Sequence, residues 1–213
     1  GINRALQREG RLSGVRVVGS AKVADAVPGL TDAVNHGDEV SFAGVSGRVL
    51  LTEGHIDGHV SYVFEDVLFC GDTLFGADCG YLFDGPPAVM HESLQSLAEL
   101  PDDTRVCCAH EYTEDNLRFA WSVEPDNEAL GDRIRATWKV RAEGASSVPS
   151  TIGLERATNP FLRVRSSTLR AHLIAATPEA SLDTDAAVFA ATRALKDGKA
   201  YKSLGDADLP LGS

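Results

Sequence analysis

The sequence predicts an α/β unit followed by a helical unit, with the boundary near residue 115. Three observations predict it. Up to about residue 110, short apolar and β-branched runs alternate with turn-rich connections, which is the pattern of strands. After Thr113 the apolar residues recur at helical spacing. Finally, three of the predicted strands run directly into a histidine or an aspartate, which places chemistry at the rim of a sheet.

The elements follow in order. Val15 to Val18 is a β-branched run that ends in Gly19. Glu39 to Phe42 follows the turn residues Gly37-Asp38, and Arg48 to Leu51 reads as a buried strand. Val60 to Phe64 and Val67 to Cys70 flank Glu65-Asp66, which predicts a hairpin. His91 to Leu100 is a helix closed by Pro101-Asp102-Asp103, and Arg105 to Cys108 is the last clear strand. Beyond Thr113, helices are predicted around Leu117 to Trp121, over Asn127 to Ala142, over Ser166 to Ala176 and over Asp185 to Lys196. Thr184 or Asp183 caps the last of them. Gly144 to Pro149 reads as a linker.

Composition narrows the function. The chain has 213 residues, 43% of them hydrophobic, enough for one buried core and a smaller appended unit. Apolar runs are strand-sized, far from the roughly 20 residues of a membrane span. With 31 acidic against 20 basic residues, the net charge of −11 disfavours nucleic acid or an anionic membrane as partner. A small anionic substrate remains compatible if bases cluster locally. Cys70, Cys79, Cys107 and Cys108 have no C-x-x-C spacing, so neither a zinc knuckle nor a thioredoxin-type site is indicated. Free thiols suit a reducing compartment, although a disulfide stays open. The chain starts at Gly1 without a signal-peptide pattern, and the expected compartment is the cytosol or the mitochondrial matrix.

The chemistry sits where strands end. Arg48 to Leu51 runs into Thr52-Glu53-Gly54-His55, Val67 to Cys70 into Gly71-Asp72-Thr73, and Arg105 to Cys108 into Ala109-His110-Glu111. A single histidine after a strand is ordinarily a hydrogen-bonded loop residue, and Asp72 suits a turn. Three such groups at three strand ends instead suggest ligands. Imidazole and carboxylate are what zinc takes when it keeps a position open for water, and such water attacks carbonyls.

Several segments resemble a known family. Thr52-Glu53-Gly54-His55-Ile56-Asp57-Gly58-His59 resembles the T-P-G-H-T-x-G-H of metallo-β-lactamase-fold hydrolases, and Gly71-Asp72-Thr73-Leu74-Phe75 their G-D-T-L-F. Cys79 to Gly85, Ala109-His110-Glu111-Tyr112-Thr113, Asn159-Pro160-Phe161-Leu162-Arg163 and Arg193-Ala194-Leu195-Lys196-Asp197 resemble motifs of glyoxalase II, the hydroxyacylglutathione hydrolases. The resemblance implies a metallo-β-lactamase-type αββα sandwich, its first part missing, over residues 1–114. A C-terminal helical domain of the glutathione-binding type follows over residues 115–213. It implies hydrolysis of a glutathione thioester, S-lactoylglutathione, to lactate and glutathione at a binuclear zinc centre, with iron or manganese as alternatives. His55 would bind the first metal, Asp72 would bridge both and His110 would bind the second. Tyr112 would lie against glutathione, and Arg193 and Lys196, three apart on one helix face, would pair with its glycine carboxylate. On residues alone, that pair reads as a solvated helix end. His59 is expected to orient its neighbours rather than bind metal.

The sequence also departs from the pattern. Tyr81 stands where a lysine or arginine is usual, Phe83 where some members carry a tyrosine, and Glu53 where proline is usual. Tyr81 and Phe83 are still expected at the substrate. The family's H-x-H-x-D-H motif is absent, and normally stands just upstream of the segment that Gly1 to Leu6 resembles. On this basis the expectation divides. The chain is either a thioesterase or an inactive structural or interaction subunit of a larger assembly. A sheet lacking its opening strands would expose an edge, so a protein partner or second copy covering it is expected.

Overall fold

In a computed structural model that describes residues 2–212, the chain opens with helix α1 (Ile2–Arg8) and strand β1 (Val18–Ser20). Gly1, the first residue of the segment with a family resemblance, lies outside the described residues. β1 pairs in parallel with β2 (Asp32–Val34). An antiparallel meander follows through β3 (Glu39–Phe42), β4 (Val45–Leu51), β5 (Val60–Phe64) and β6 (Val67–Gly71). The β3–β4 turn is Ala43-Gly44, with φ of 50° and 84°, the two positive values that a tight hairpin turn of this twist needs.

The chain then folds a small hairpin, β7 (Leu74–Phe75) and β8 (Asp78–Cys79), and a helix α2 (Pro87–Ala98). It returns as β9 (Arg105–Cys108), parallel to β6. Next come α3 (Thr113–Val123), α4 (Glu128–Ala142), β10 (Ser150–Thr151), α5 (Ile152–Thr158), α6 (Ser167–Ala176) and α7 (Asp185–Gly198). Asn127, Ser166 and Thr184 cap their helices by accepting from the N–H groups of Leu130, Leu169 and Ala187, so each stands just outside its helix.

The main sheet runs in the order β10-β9-β6-β5-β4-β3. β10 comes from beyond residue 115 and pairs with β9, so the sheet takes strands from both sides of the expected boundary. The core also crosses it. Leu50, Leu68 and Val106 from the sheet, Met90, Leu94 and Leu97 from α2, and Phe119, Phe161, Leu173 and Phe189 from the later helices form one buried cluster. Opposite, Val34, Val40 and Val49 pack with Tyr62 and Phe64, while Phe42 and Phe69 are exposed.

A buried ion pair ties the two parts together. Arg133 on α4 reaches Glu155 on α5, and both are buried. The other oxygen of Glu155 accepts the Ala77 N–H at 2.8 Å and the Asn159 amide at 3.1 Å. The β7–β8 hairpin therefore hangs from a helix carboxylate. Glu155→Ala would leave a buried guanidinium without its partner, and a loss of about 3–5 kcal/mol in urea unfolding is expected. A loss below about 1 kcal/mol would contradict this reading of the pair.

Candidate metal centre and its rim

Neighbouring strand ends bring the three expected ligands together. β6 and β9 lie side by side and parallel, so Asp72 and His110 leave the sheet at the same edge. The Ala109 N–H donates to the Gly71 carbonyl at 3.0 Å and keeps the two exits in step. The loop after β4 closes on itself through Thr52 N–H donating to the His59 carbonyl at 2.8 Å, and it carries His55 over the same rim. His55 Nε2 stands 3.8 Å from Asp72 Oδ2, and His110 Nε2 stands 3.4 Å from Asp72 Oδ1. Each carboxylate oxygen thus has its own imidazole.

The chemistry of this donor set calls for a positive centre. His55 Nδ1 lies 2.7 Å from the Tyr81 carbonyl. A carbonyl only accepts, so Nδ1 carries the hydrogen and Nε2 turns its lone pair to Asp72. A lone pair facing a carboxylate is held there by a proton or a metal ion. Imidazole nitrogen and carboxylate oxygen are ligands of zinc, iron and manganese alike. Among the described residues, no three His, Cys, Asp or Glu side chains are placed to enclose a single ion.

The supports around the ligands were only partly expected. His59 Nδ1 lies 3.0 Å from Thr52 Oγ1 and 3.1 Å from Thr73 Oγ1, so it braces the residue beside Asp72. Burial, helped by nearby His55, lowers its pKa and favours the neutral ring. Gly80 was not singled out by sequence, yet a Cβ there would land on the Asp72 carbonyl oxygen. Glu111 was also missed as a support. It accepts from Ser146 Oγ at 2.6 Å, from Ser147 N–H at 3.3 Å and from the Ser147 hydroxyl, which pins the His110 loop to the 144–149 segment. The signal was the serine pair, which reads as linker composition until the fold places it.

An aromatic rim surrounds His55, Asp72 and His110. Phe83 meets His55 edge-on at 5.1 Å and Tyr81 packs against Phe83 at 4.9 Å. Across the site, Tyr112 stacks on His110 at 5.1 Å and Phe75 lies 5.6 Å from Tyr112. Tyr81, Phe83 and Tyr112 are exposed. Arg193 and Lys196 do not join them. The pair lies inside the protein, each 6% exposed. A solvated helix end does not describe it. Lys196 Nζ is 3.0 Å from Asp78 Oδ2, and Arg193 Nη1 is 3.4 Å from Asp78 Oδ1. Burial works against the Arg193 charge, but Asp78 outweighs it and holds the pKa above the ordinary arginine value. The physical reason for the difference is a carboxylate on β8 that helical spacing on α7 cannot reveal.

Residues 8–110 match the metallo-beta-lactamase superfamily and residues 111–199 match the hydroxyacylglutathione hydrolase C-terminus. A hydroxyacylglutathione hydrolase of a Synechococcus species is 44% identical over 85% of this chain and 73% of that protein. This chain belongs to the hydroxyacylglutathione hydrolase family. The enzyme of that name from Gloeobacter violaceus is 46% identical, with 86% of this chain and 71% of that protein covered. Among solved structures, the crystal structure of ETHE1 from Myxococcus xanthus aligns with a TM-score of 0.52 at 24% identity, over 90% of this chain and 69% of that one. A metallo-beta-lactamase from Staphylococcus aureus aligns with a TM-score of 0.52 at 18% identity, over 92% of this chain and 52% of that one. These two likenesses show the fold, a metallo-β-lactamase-type α/β sandwich with a helical C-terminal part.

For a hydroxyacylglutathione hydrolase, the cysteines are quiet. Cys70 and Cys79 are buried, and burial pushes both thiols well above their ordinary pKa. Neither is an activated nucleophile. The geometry therefore rests on backbone placement, and Gly80→Ala tests it. The added methyl meets the Asp72 carbonyl and presses on His55 Nδ1, so the Asp72 turn and the His55 ring must shift, with an expected loss of about 1–3 kcal/mol in chemical denaturation. The His55 ring should also lose its Nδ1–H signature in nitrogen-15 NMR. An unchanged His55 spectrum would contradict the proposed clamp.

Proposed function

We propose that this chain hydrolyses the thioester of a 2-hydroxyacyl thiol of the S-lactoylglutathione type, giving the hydroxy acid and the free thiol. The observation that carries this reading is the His55–Asp72–His110 convergence at three strand ends in a chain of this family. His55 and His110 are the proposed histidine ligands, and Asp72 is the carboxylate shared between them. A divalent metal held there supplies Lewis acidity, which lowers the pKa of water and polarises a carbonyl. Which metal the chain carries is left to its supply, since zinc, iron and manganese all accept this donor set.

The chain's own residues do the rest. The Tyr81 carbonyl keeps the His55 proton on Nδ1, so Nε2 stays a donor of its lone pair. Asp72, between the two imidazoles, orients the attacking water and accepts its proton, which neutralises the carboxylate until the proton is passed on. Water oxygen adds to the thioester carbon, the carbon–sulfur bond breaks, and the departing thiolate collects the proton. Tyr81, Phe83 and Tyr112 form the walls against which the thiol half of the substrate lies. Their exposed rings supply apolar area and, in the two tyrosines, a hydroxyl at the wet edge. None of the described helices is long and apolar enough to cross a membrane. The four free cysteines suit a reducing compartment.

Hydrolysis of S-lactoylglutathione, followed by thiol release, tests the reading. Asp72→Asn is expected to lower kcat by about a thousandfold or more and to reduce bound metal in the same preparation. Removal of metal by a chelator should abolish turnover, and zinc, iron or manganese should restore it. Turnover that survives both treatments would sink the proposal.

A further inference from the structure

The chain carries a carboxylate where two of its buried cations, Arg193 and Lys196, meet. Asp78 is 5% exposed and contacts both Lys196 and Arg193. Asp197 takes two further hydrogen bonds from Arg193, at 2.9 and 2.6 Å. Lys196 also donates to the Asn116 side chain at 2.9 Å and lies over the rings of Phe119 and Tyr201, 5.1 and 4.7 Å from their centroids. Two cations thus meet two close carboxylates, and little positive field remains for an outside anion.

Asp78 is also fixed in place. It pairs with Phe75 across the β7–β8 hairpin, and its carbonyl accepts the Asn159 amide at 3.0 Å. Its Oδ1 accepts the Cys79 N–H at 2.8 Å. A ligand carboxylate would have to displace a side chain whose backbone is held on both sides. Removing one partner from such a buried cluster is costly, so exchange with a solvated anion is disfavoured. The rim side chains nearer the ligands are Tyr81, Phe83, Phe75 and Tyr112, and none of them is a cation.

We propose that Asp78 occupies the Arg193–Lys196 pair from within the chain, so that this hydrolase selects thioesters without reading a terminal carboxylate on the thiol half. Its substrate class is then hydroxyacyl thioesters whose thiol rests on an aromatic wall, with or without an anionic end. This rests on the hydrolase reading above and specifies its selectivity. Asp78 is the specificity-determining residue, and it acts through the two cations that it neutralises.

The test compares glutathione with its C-terminal amide, which lacks only the glycine carboxylate. Both are titrated by calorimetry into the metal-loaded wild type, Asp78→Asn and Lys196→Met, and the S-lactoyl esters of both are assayed. The wild type is expected to bind the acid and the amide within about twofold of each other. Asp78→Asn should tighten the acid about tenfold and leave the amide unchanged. Lys196→Met should not weaken the acid. A wild-type preference for the acid of about tenfold, lost in Lys196→Met, would overturn the proposal, and so would no gain for the acid in a folded Asp78→Asn. Should Asp78→Asn fail to fold, the wild-type comparison and Lys196→Met still decide. If the binding pattern holds but no ester of either thiol is hydrolysed, the hydrolase reading fails, and only the occupation of the Arg193–Lys196 pair by Asp78 stands.

Discussion

Two buried carboxylates, Glu155 on α5 and Asp78 on β8, tie the β7–β8 hairpin to the helices behind it. Glu155 is fully buried with Arg133 and takes the Ala77 N–H, and Asp78 draws in Arg193 and Lys196 from α7. The hairpin leaves the sheet just after Asp72 and leads directly to Gly80 and Tyr81. The Gly80 N–H donates to the Thr73 carbonyl at 3.1 Å, which closes this segment against the Asp72 turn. Through the Tyr81 carbonyl the same segment sets the His55 ring. The site's geometry thus depends on ions buried some distance behind it. Such clusters do not add stability for free, but once formed they allow few alternatives, because breaking one strands a charge.

The strands that lead into His55, Asp72 and His110 were legible from local pattern. β4, β6 and β9 fall where the runs Arg48 to Leu51, Val67 to Cys70 and Arg105 to Cys108 place them, with β4 starting three residues earlier. Asp72 and His110 converge because β6 and β9 are parallel neighbours, which pattern alone does not state. β7, β8 and β10 are two residues each, too short to leave a periodic trace, and they exist because neighbouring chain pairs with them. α2 starts at Pro87, ahead of the apolar run that suggested it, because proline suits the first turn of a helix.

The places of His55, Asp72 and His110 beyond strand ends could be read from residue order, whereas the state of Arg193 and Lys196 could not. Their partner lies 115 positions before Arg193 and has the look of a turn aspartate between Ala77 and Cys79. A one-dimensional reading offers two choices for such cations, solvent or ligand. The fold supplies a third, an internal carboxylate. Tyr81 and Phe83 point the same way, for they put aromatic surface at the rim where the family pattern that the chain resembles has a cation and, in some members, a hydroxyl. Loss of cationic character at the rim and neutralisation of the buried pair are two independent changes in one direction. Under the proposed role of Asp78, selection falls on the acyl half and on aromatic contact.

The most direct measurement is anomalous X-ray diffraction from crystals of the native protein, with data collected at the absorption edges of zinc, iron and manganese. The geometry predicts anomalous density between His55 Nε2 and Asp72 Oδ2 or between His110 Nε2 and Asp72 Oδ1, within coordination distance of both atoms. Density elsewhere on the chain, or none at this rim in a preparation that hydrolyses thioesters, would contradict a metal centre built on Asp72.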